Sequence, residues 1–513
     1  VWSFAEVLLR AAGLASQALA VGGVAFAVAV LGASAPDAAR RRTLALAIAG
    51  TAGVAVTAAL HVLLVTGAGG WSLADVLQTA FGRAAGLRLL AAIGLGGALV
   101  ALARRPAARA LVPVSAVLAG GLALTTTATG HAAAQAGARA PWLVLDAVHQ
   151  VAASVWVGGL VHLLVARRGH PGSWPVTTLR RFSWLALGAT TMLVTAGVAL
   201  AGRHVGDLAG LLGTAYGIMV LAKALMLAAL LAVAAASTLG VRADHPDRAR
   251  LRALVEVEVG LTLAALVAAA SLTALPPAID VRTDRAAPAE TAGRFAPRWP
   301  TLTTPSLAEL AAAGTPGDPA VPRTDLDRAW SEYNHNLAGL ALVLAGIVAS
   351  LEGSPRARWA RHWPAVLVAL AAMLFVRSDP EAWPLGAVGP WASLADPEVL
   401  QHRALLLLAA GVAAFEWLVR TGHLPQPGAA LVFPLLCVTG APLLLVHGHA
   451  VGAGRDAFFM EVSHAAIALF GLAAGWGRWL ELRLPHARRA GWRTVWSLAL
   501  VLAGLVLVFY RER

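Results

Sequence analysis

Apolar residues recur along this chain in about fourteen long runs between Phe4 and Phe509, each roughly 18 to 25 residues and separated by short polar connectors. A run of that length crosses the hydrocarbon core of a bilayer as a helix. Lipid offers no partner to an open backbone N–H or C=O, so each run is predicted to be α-helical. About eight runs fill Phe4 to Leu275, and then "PPAIDVRTDRAAPAETAGRFAPRWPTLTTPSLAELAAAGTPGDPAVPRTDLDRAWSEY" breaks the pattern with Pro, Thr and charge. About six more follow from Asn334. The predicted fold is all-α: a polytopic membrane helical bundle of about 14 transmembrane helices in two modules, residues 1–275 and 334–513, joined by a Pro-rich periplasmic linker at 276–333.

Composition agrees with the pattern, since 58% of the 513 residues are hydrophobic and only 13% are charged. The net charge of +13 would suit a nucleic-acid partner if the basic residues formed a patch. They sit instead in alternate short loops: Arg40 to Arg42, and the connectors beginning at Arg104, Arg167, Val241, Arg356 and Arg483. That alternation marks cytoplasmic loops and a lipid bilayer, not nucleic acid, and it places both termini and the linker in the periplasm. The first run is too long for a cleaved signal and lacks a basic leader, so it is read as a membrane helix. Cys437, the single cysteine, lies in an apolar run, which excludes a disulfide framework or a thiolate cluster. Small residues, as in "AIAGTAGVAVTAAL", let helices approach closely.

The fifteen histidines divide by this topology. His170, His245, His362, His423 and His486 belong with the arginine-rich loops and are expected to face solvent or headgroups. His162 lies deeper in its run. His61, His131, His149, His335, His402, His447, His449 and His464 all fall in the outer half or at the outer end of a run, with His204 in an outer loop nearby. Ionisable groups in a membrane are expensive and mark cavities, pairs or ion sites, so this one-sided set points to a metal or haem site.

The stretch "LLLVHGHAVGAGRDAFFMEVSHAAIALFGL", Leu443 to Leu472, concentrates that signal. Glu461 and His464 stand three apart on a helix, in the Glu-x-x-His spacing of metal sites, and Met460 shares the face at a spacing of four. His447 and His449 diverge by about 200° on a helix. Either the helix end unwinds at Gly448 so that both point one way, or only one of them is a ligand. With His335 or His402 they would complete a site in the second module, and binding is expected to weaken as pH falls through about 6.5 because imidazole must be neutral to ligate. Met460 would serve only a soft ion. Asp379 and Glu381, between His335 and His402, are further outer-side candidates, with loop and cap roles as the alternative reading. In the first module Asp146 stands one turn from His149 and could accept its other ring N–H.

Here the chain resembles a known family. "GHAAA", "LDAVHQVAASVWVGGL", "RRFSWLALGATTMLVTAGVAL" and "TAYGIMVLAKALMLAALL" are similar to copper resistance protein D (CopD) family members of the bacterial inner membrane, over roughly Phe4 to Leu275 and best from His131 to Leu230. The second module, with "NHNLAGL", "SDPEAWPLG" and "HGHA", looks like the extension of larger members. The resemblance implies movement of copper across the inner membrane, a periplasmic CopC-like copper-binding partner, and roles for His131, His149 and Trp156. The chain departs from a Met-rich copper path in having only five Met, which favours imidazole sites suited to Cu(II), Zn or haem over a soft-ligand Cu(I) channel.

Three readings follow. The first is copper import or homeostasis, with a copper ion, Cu(I) or Cu(II), bound by outer-side histidines and drawn inward by the membrane potential. The second is a haem b-binding membrane redox protein, since histidines on neighbouring spans also hold such haems. The third is a copper-binding scaffold without transport. No nucleophile with a base, phosphate-cradling loop or dinucleotide fingerprint is present in the sequence, so no enzymatic role is expected.

Overall fold

Caps and prolines set several of the helix starts in the structure, a computed structural model that describes residues 2–32, 35–108, 110–128, 140–166, 176–242, 247–313, 324–446 and 455–512. The apolar helices among the described residues are α1 (Trp2–Ala29), α2 (Asp37–Gly69), α3 (Ala80–Arg104), α4 (Leu111–Thr127), α5 (Ala140–Ala166), α6 (Val176–Val205), α7 (Ala215–Arg242), α8 (Arg248–Leu272), α9 (Asp325–Leu351), α10 (Pro364–Arg377), α11 (Pro397–Arg420), α12 (Val432–Leu444), α13 (Arg455–Arg483) and α14 (His486–Val508). Thr79 caps α3 by accepting from Gly82 N, Asp247 caps α8 through Ala249 N and Arg250 N, and Thr324 with Asp327 forms a capping box on α9. Twelve spans are long and apolar enough to cross a membrane, α10 being counted with the turn that precedes it, and two helices, Leu111–Thr127 and Ala429–Leu444, are shorter. The molecule is a polytopic helical membrane protein.

The chain divides into two compact units, Trp2–Asp207 with Lys223–Asp280, and Leu208–Ala222 with Val281–Arg513. In the first unit α1 is central and packs on α2, α4, α5, α6 and α8. Lipid supplies no hydrophobic drive between helices, so close packing of small residues does the work. A Cβ on Gly158 would stand 1.8 Å from the Ala18 carbonyl oxygen, and one on Gly22 would stand 2.6 Å from Gly158 Cα. His162, fully buried, donates from Nε2 to Leu19 O at 2.9 Å and stacks on Phe26, which makes it a packing histidine.

In the second unit α14 packs on α9 and α13, α12 on α13, and α10 on α9 and α11. Near the ends of α9 and α11, six charges interlock: Arg420 binds Glu416 at 2.6 Å and also Glu352, Arg478 binds Glu481 at 2.7 Å and lies 3.6 Å from Glu416, and Arg493 binds Glu481 at 2.9 Å. Trp496 Nε1 donates to Glu481 at 2.7 Å. Three carboxylates face three guanidiniums, so the charges cancel where each alone would be costly to bury. The residues from 281 to 313 carry the short helices Pro288–Gly293 and Leu307–Ala312 and fold onto this unit. Thr301 N donates to Asn336 at 2.6 Å, Arg377 donates to Thr304 at 3.0 Å, and Arg294 lies 3.8 Å over the Phe459 ring.

Candidate functional site

Two predicted histidines meet in the second unit. His335, near the start of α9, and His464, in α13, have ring centroids 6.4 Å apart in an edge-to-face arrangement. Each ring is tied to its own helix: His335 Nδ1 donates to Ser331 O at 2.8 Å and His464 Nδ1 donates to Met460 O at 2.7 Å. A carbonyl can only accept, so Nδ1 carries the proton and a neutral ring keeps its lone pair on Nε2. This is the outer hydrogen bond by which proteins orient a ligating imidazole. His335 also stacks on Tyr510 at 4.2 Å, and Tyr510 OH donates to Glu512 at 3.0 Å. Above this pair, Asn336 ties α9 to the carbonyls of Leu507 and Tyr510, each at 3.1 Å, and to the folded linker through Thr301.

The remaining predicted residues are placed as follows. Met460 is buried and supplies a backbone carbonyl to His464, while Glu461 is half-buried one turn before that histidine. His402 Nδ1 donates to Asp379 Oδ1 at 2.7 Å, so Asp379 positions an imidazole and is not merely a loop or cap residue. Burial opposes the charge on Asp379, but hydrogen bonds from His402 and Ser378 and the nearby Arg403 hold its carboxyl below the usual range. In the first unit His61 Nε2 lies 3.4 Å from Glu6, which also binds Arg10 at 2.6 Å, and the imidazole edge meets Phe81. His149 Nδ1 donates to Leu193 O at 3.1 Å; the carbonyl of α6 has the orienting place that the sequence suggested for Asp146. Asp146 instead accepts from Gln150 at 3.5 Å and lies within electrostatic reach of Lys223. Trp156 is buried, 2% exposed, as packing in α5. His131, His447 and His449 lie outside the described residues. Among the described residues no three His, Cys, Asp or Glu side chains converge as a metal site, and His335 and His464 meet as a pair.

Sequence reasoning missed two polar clusters whose signal was available as charges inside apolar runs. One is the six-charge network of the second unit. The other, in the first unit, joins Arg88 to Gln17 at 2.8 Å and Thr126 at 2.5 Å, with Gln17 reaching Ser154 at 3.2 Å.

Helices long and apolar enough to cross a membrane define the class: a multi-pass helical membrane protein, with a pair of oriented imidazoles among its helices. Residues 176–272, from α6 to α8, match the family model described as copper resistance protein D. The chain is also similar to the copper transport protein CutJ of Bacillus subtilis (strain 168), 32% identical over 162 residues, which is 30% of this chain and 29% of that protein. The match thus spans less than a third of that relative's length. No solved structure matches the chain at comparable significance. The family match overlaps the resembling segments from Val176 onward and leaves His131, His149 and Trp156 outside it.

Proposed function

We propose that this protein is a bacterial inner-membrane copper carrier, a conduit and not an enzyme, that accepts a copper ion from the periplasm at outer-side histidines and moves it inward. The observation that carries the reading is the His335–His464 pair, two imidazoles on different helices with Nδ1 committed to a carbonyl in each. An ion with metal–nitrogen bonds of roughly 2 Å is within reach of two rings whose centres stand 6.4 Å apart. His447 or His449, which precede α13 in the chain, would add a further nitrogen, and Glu461 would complete or orient the set. The family match at 176–272 and the name of the CutJ relative supply the choice of copper. A periplasmic CopC-like protein would hand over the ion where the linker folds onto α9.

The test is copper content. The double variant His335→Ala/His464→Ala should lose about one copper per chain, the loss expected when a tetrahedral nitrogen site gives up two ligands, with far-UV circular dichroism unchanged. Full copper content in the folded variant would overturn the site, and a Soret absorption band in the wild type would move these histidines to haem b.

A further inference from the structure

Glu258 is a carboxyl inside a membrane helix, and among the described residues it has no basic partner. It lies ten positions into α8, about 15 Å along the helix from Arg248, close to half the thickness of a hydrocarbon core. It is 4% exposed, and Ser237 of α7 donates to its Oε1 at 2.5 Å. Among the described residues, the charged and titratable groups on the helices packed around it have other neighbours. On α1, Glu6 holds Arg10; on α5, His162 donates to Leu19 O, and Asp146 and His149 lie near Lys223 of α7. Two positions earlier on α8 itself, Glu256 is paired with Arg252 at 2.9 Å. One helix thus carries two glutamates in opposite situations.

A carboxylate buried in lipid without a countercharge is far more costly than the neutral acid, because the neutral form needs only hydrogen bonds and Ser237 supplies one. We propose that Glu258 and Ser237 form a proton site within the membrane, a carboxyl that takes up one proton and exchanges it with water. Deprotonation leaves the charge on Glu258 oxygens and sends the proton to a water molecule, while the Ser237 hydroxyl remains a donor to the anion. Both residues fall within 176–272, so the site belongs to the family-matched stretch, and the inference stands whether or not copper is the cargo.

Infrared spectroscopy of the full-length protein in liposomes tests this. The wild type should show a protonated-carboxyl carbonyl band that moves in D2O and is absent from Glu258→Gln, while Glu256→Gln leaves it unchanged. Ser237→Ala should shift the band by removing its hydrogen bond, which keeps the test decisive if the Gln variant does not fold. The band should fade as the pH is raised. Absence of any band assigned through these variants would overturn the inference, as would a band that neither exchanges in D2O nor fades with pH.

Discussion

Gly158→Ala tests the packing that carries the first unit. The added methyl would stand 1.8 Å from Ala18 O, against ordinary contacts of 3.4 to 4 Å, and the obstacle is backbone that no rotamer change can move. Restoring contact requires α1 and α5 to part by about 1.5 Å. A radial gap of 0.5–1 Å already forfeits about a quarter to a half of each dispersion contact along the seam. Alanine itself favours the helix over glycine by about 0.5–1 kcal/mol, so the steric loss must exceed that gain to be visible. Overpacking of a closed interface costs about 1–3 kcal/mol, and the net expectation is destabilisation of about 1–2 kcal/mol. Gly188→Ala is the control, because Gly188 is an exposed helical position with nothing within 4 Å of a built Cβ. It should be neutral or slightly stabilising. Unfolding of the two variants in mixed detergent micelles, followed by circular dichroism against added dodecyl sulfate, gives the comparison. Equal stability of Gly158→Ala and Gly188→Ala would refute the argument that this glycine closes the seam.

Two further outcomes are expected. In a Cys437→Ser background, Ala313→Cys in the folded linker should react with a membrane-impermeant maleimide on spheroplasts, as the alternating arginine loops require; labelling only after permeabilisation would reverse the topology. Asp379 has a carboxyl held below the usual range, so its contribution to stability is complete above the ordinary value of about 3.9 and is lost as pH falls through the lower folded value. Wild type should therefore lose thermal stability on acidification below about pH 4, while Asp379→Asn starts lower at neutral pH and changes less; parallel pH profiles would show that the His402 pairing contributes nothing.

The helices were legible because lipid removes alternatives: with no water to satisfy the backbone, an apolar run of sufficient length has one secondary structure available. Even the short helices Leu111–Thr127 and Ala429–Leu444 were visible as runs, because hydropathy does not depend on their packing. Partner choice was less legible. Asp146 stands one turn from His149 in sequence, and the i+3 spacing suggested a hydrogen bond, but the ring reaches across to Leu193 on the neighbouring helix, which no spacing rule on one helix can anticipate. The sequence marks the linker only as a Pro-rich connector, because its Pro and Thr content lacks periodicity. Its order comes from capping boxes at Ser306 and Thr324 and from long-range bonds such as Thr301 to Asn336. Juxtaposition of His335 with His464, 129 positions apart, needed the tertiary fold, although each had been singled out by its place at the outer end of a run.

Charge accounting separates groups that hold this bundle together from groups that can take a ligand. Glu416 sits between Arg420 and Arg478, and Glu481 between Arg478 and Arg493, so each carboxylate already has the cations that make its burial tolerable. A metal ion at such a group must compete with a guanidinium. Glu258 has a hydroxyl in that place, and a proton is the cation that costs least to bring there. Imidazole solves the same problem differently. With Nδ1–H given to the carbonyl one turn back, a neutral ring needs no countercharge in a low-dielectric bundle, and in the proposed site charge would arrive only with the ion. Histidine is therefore a residue by which a bundle of this composition can meet a cation while the six-charge network of the second unit stays paired.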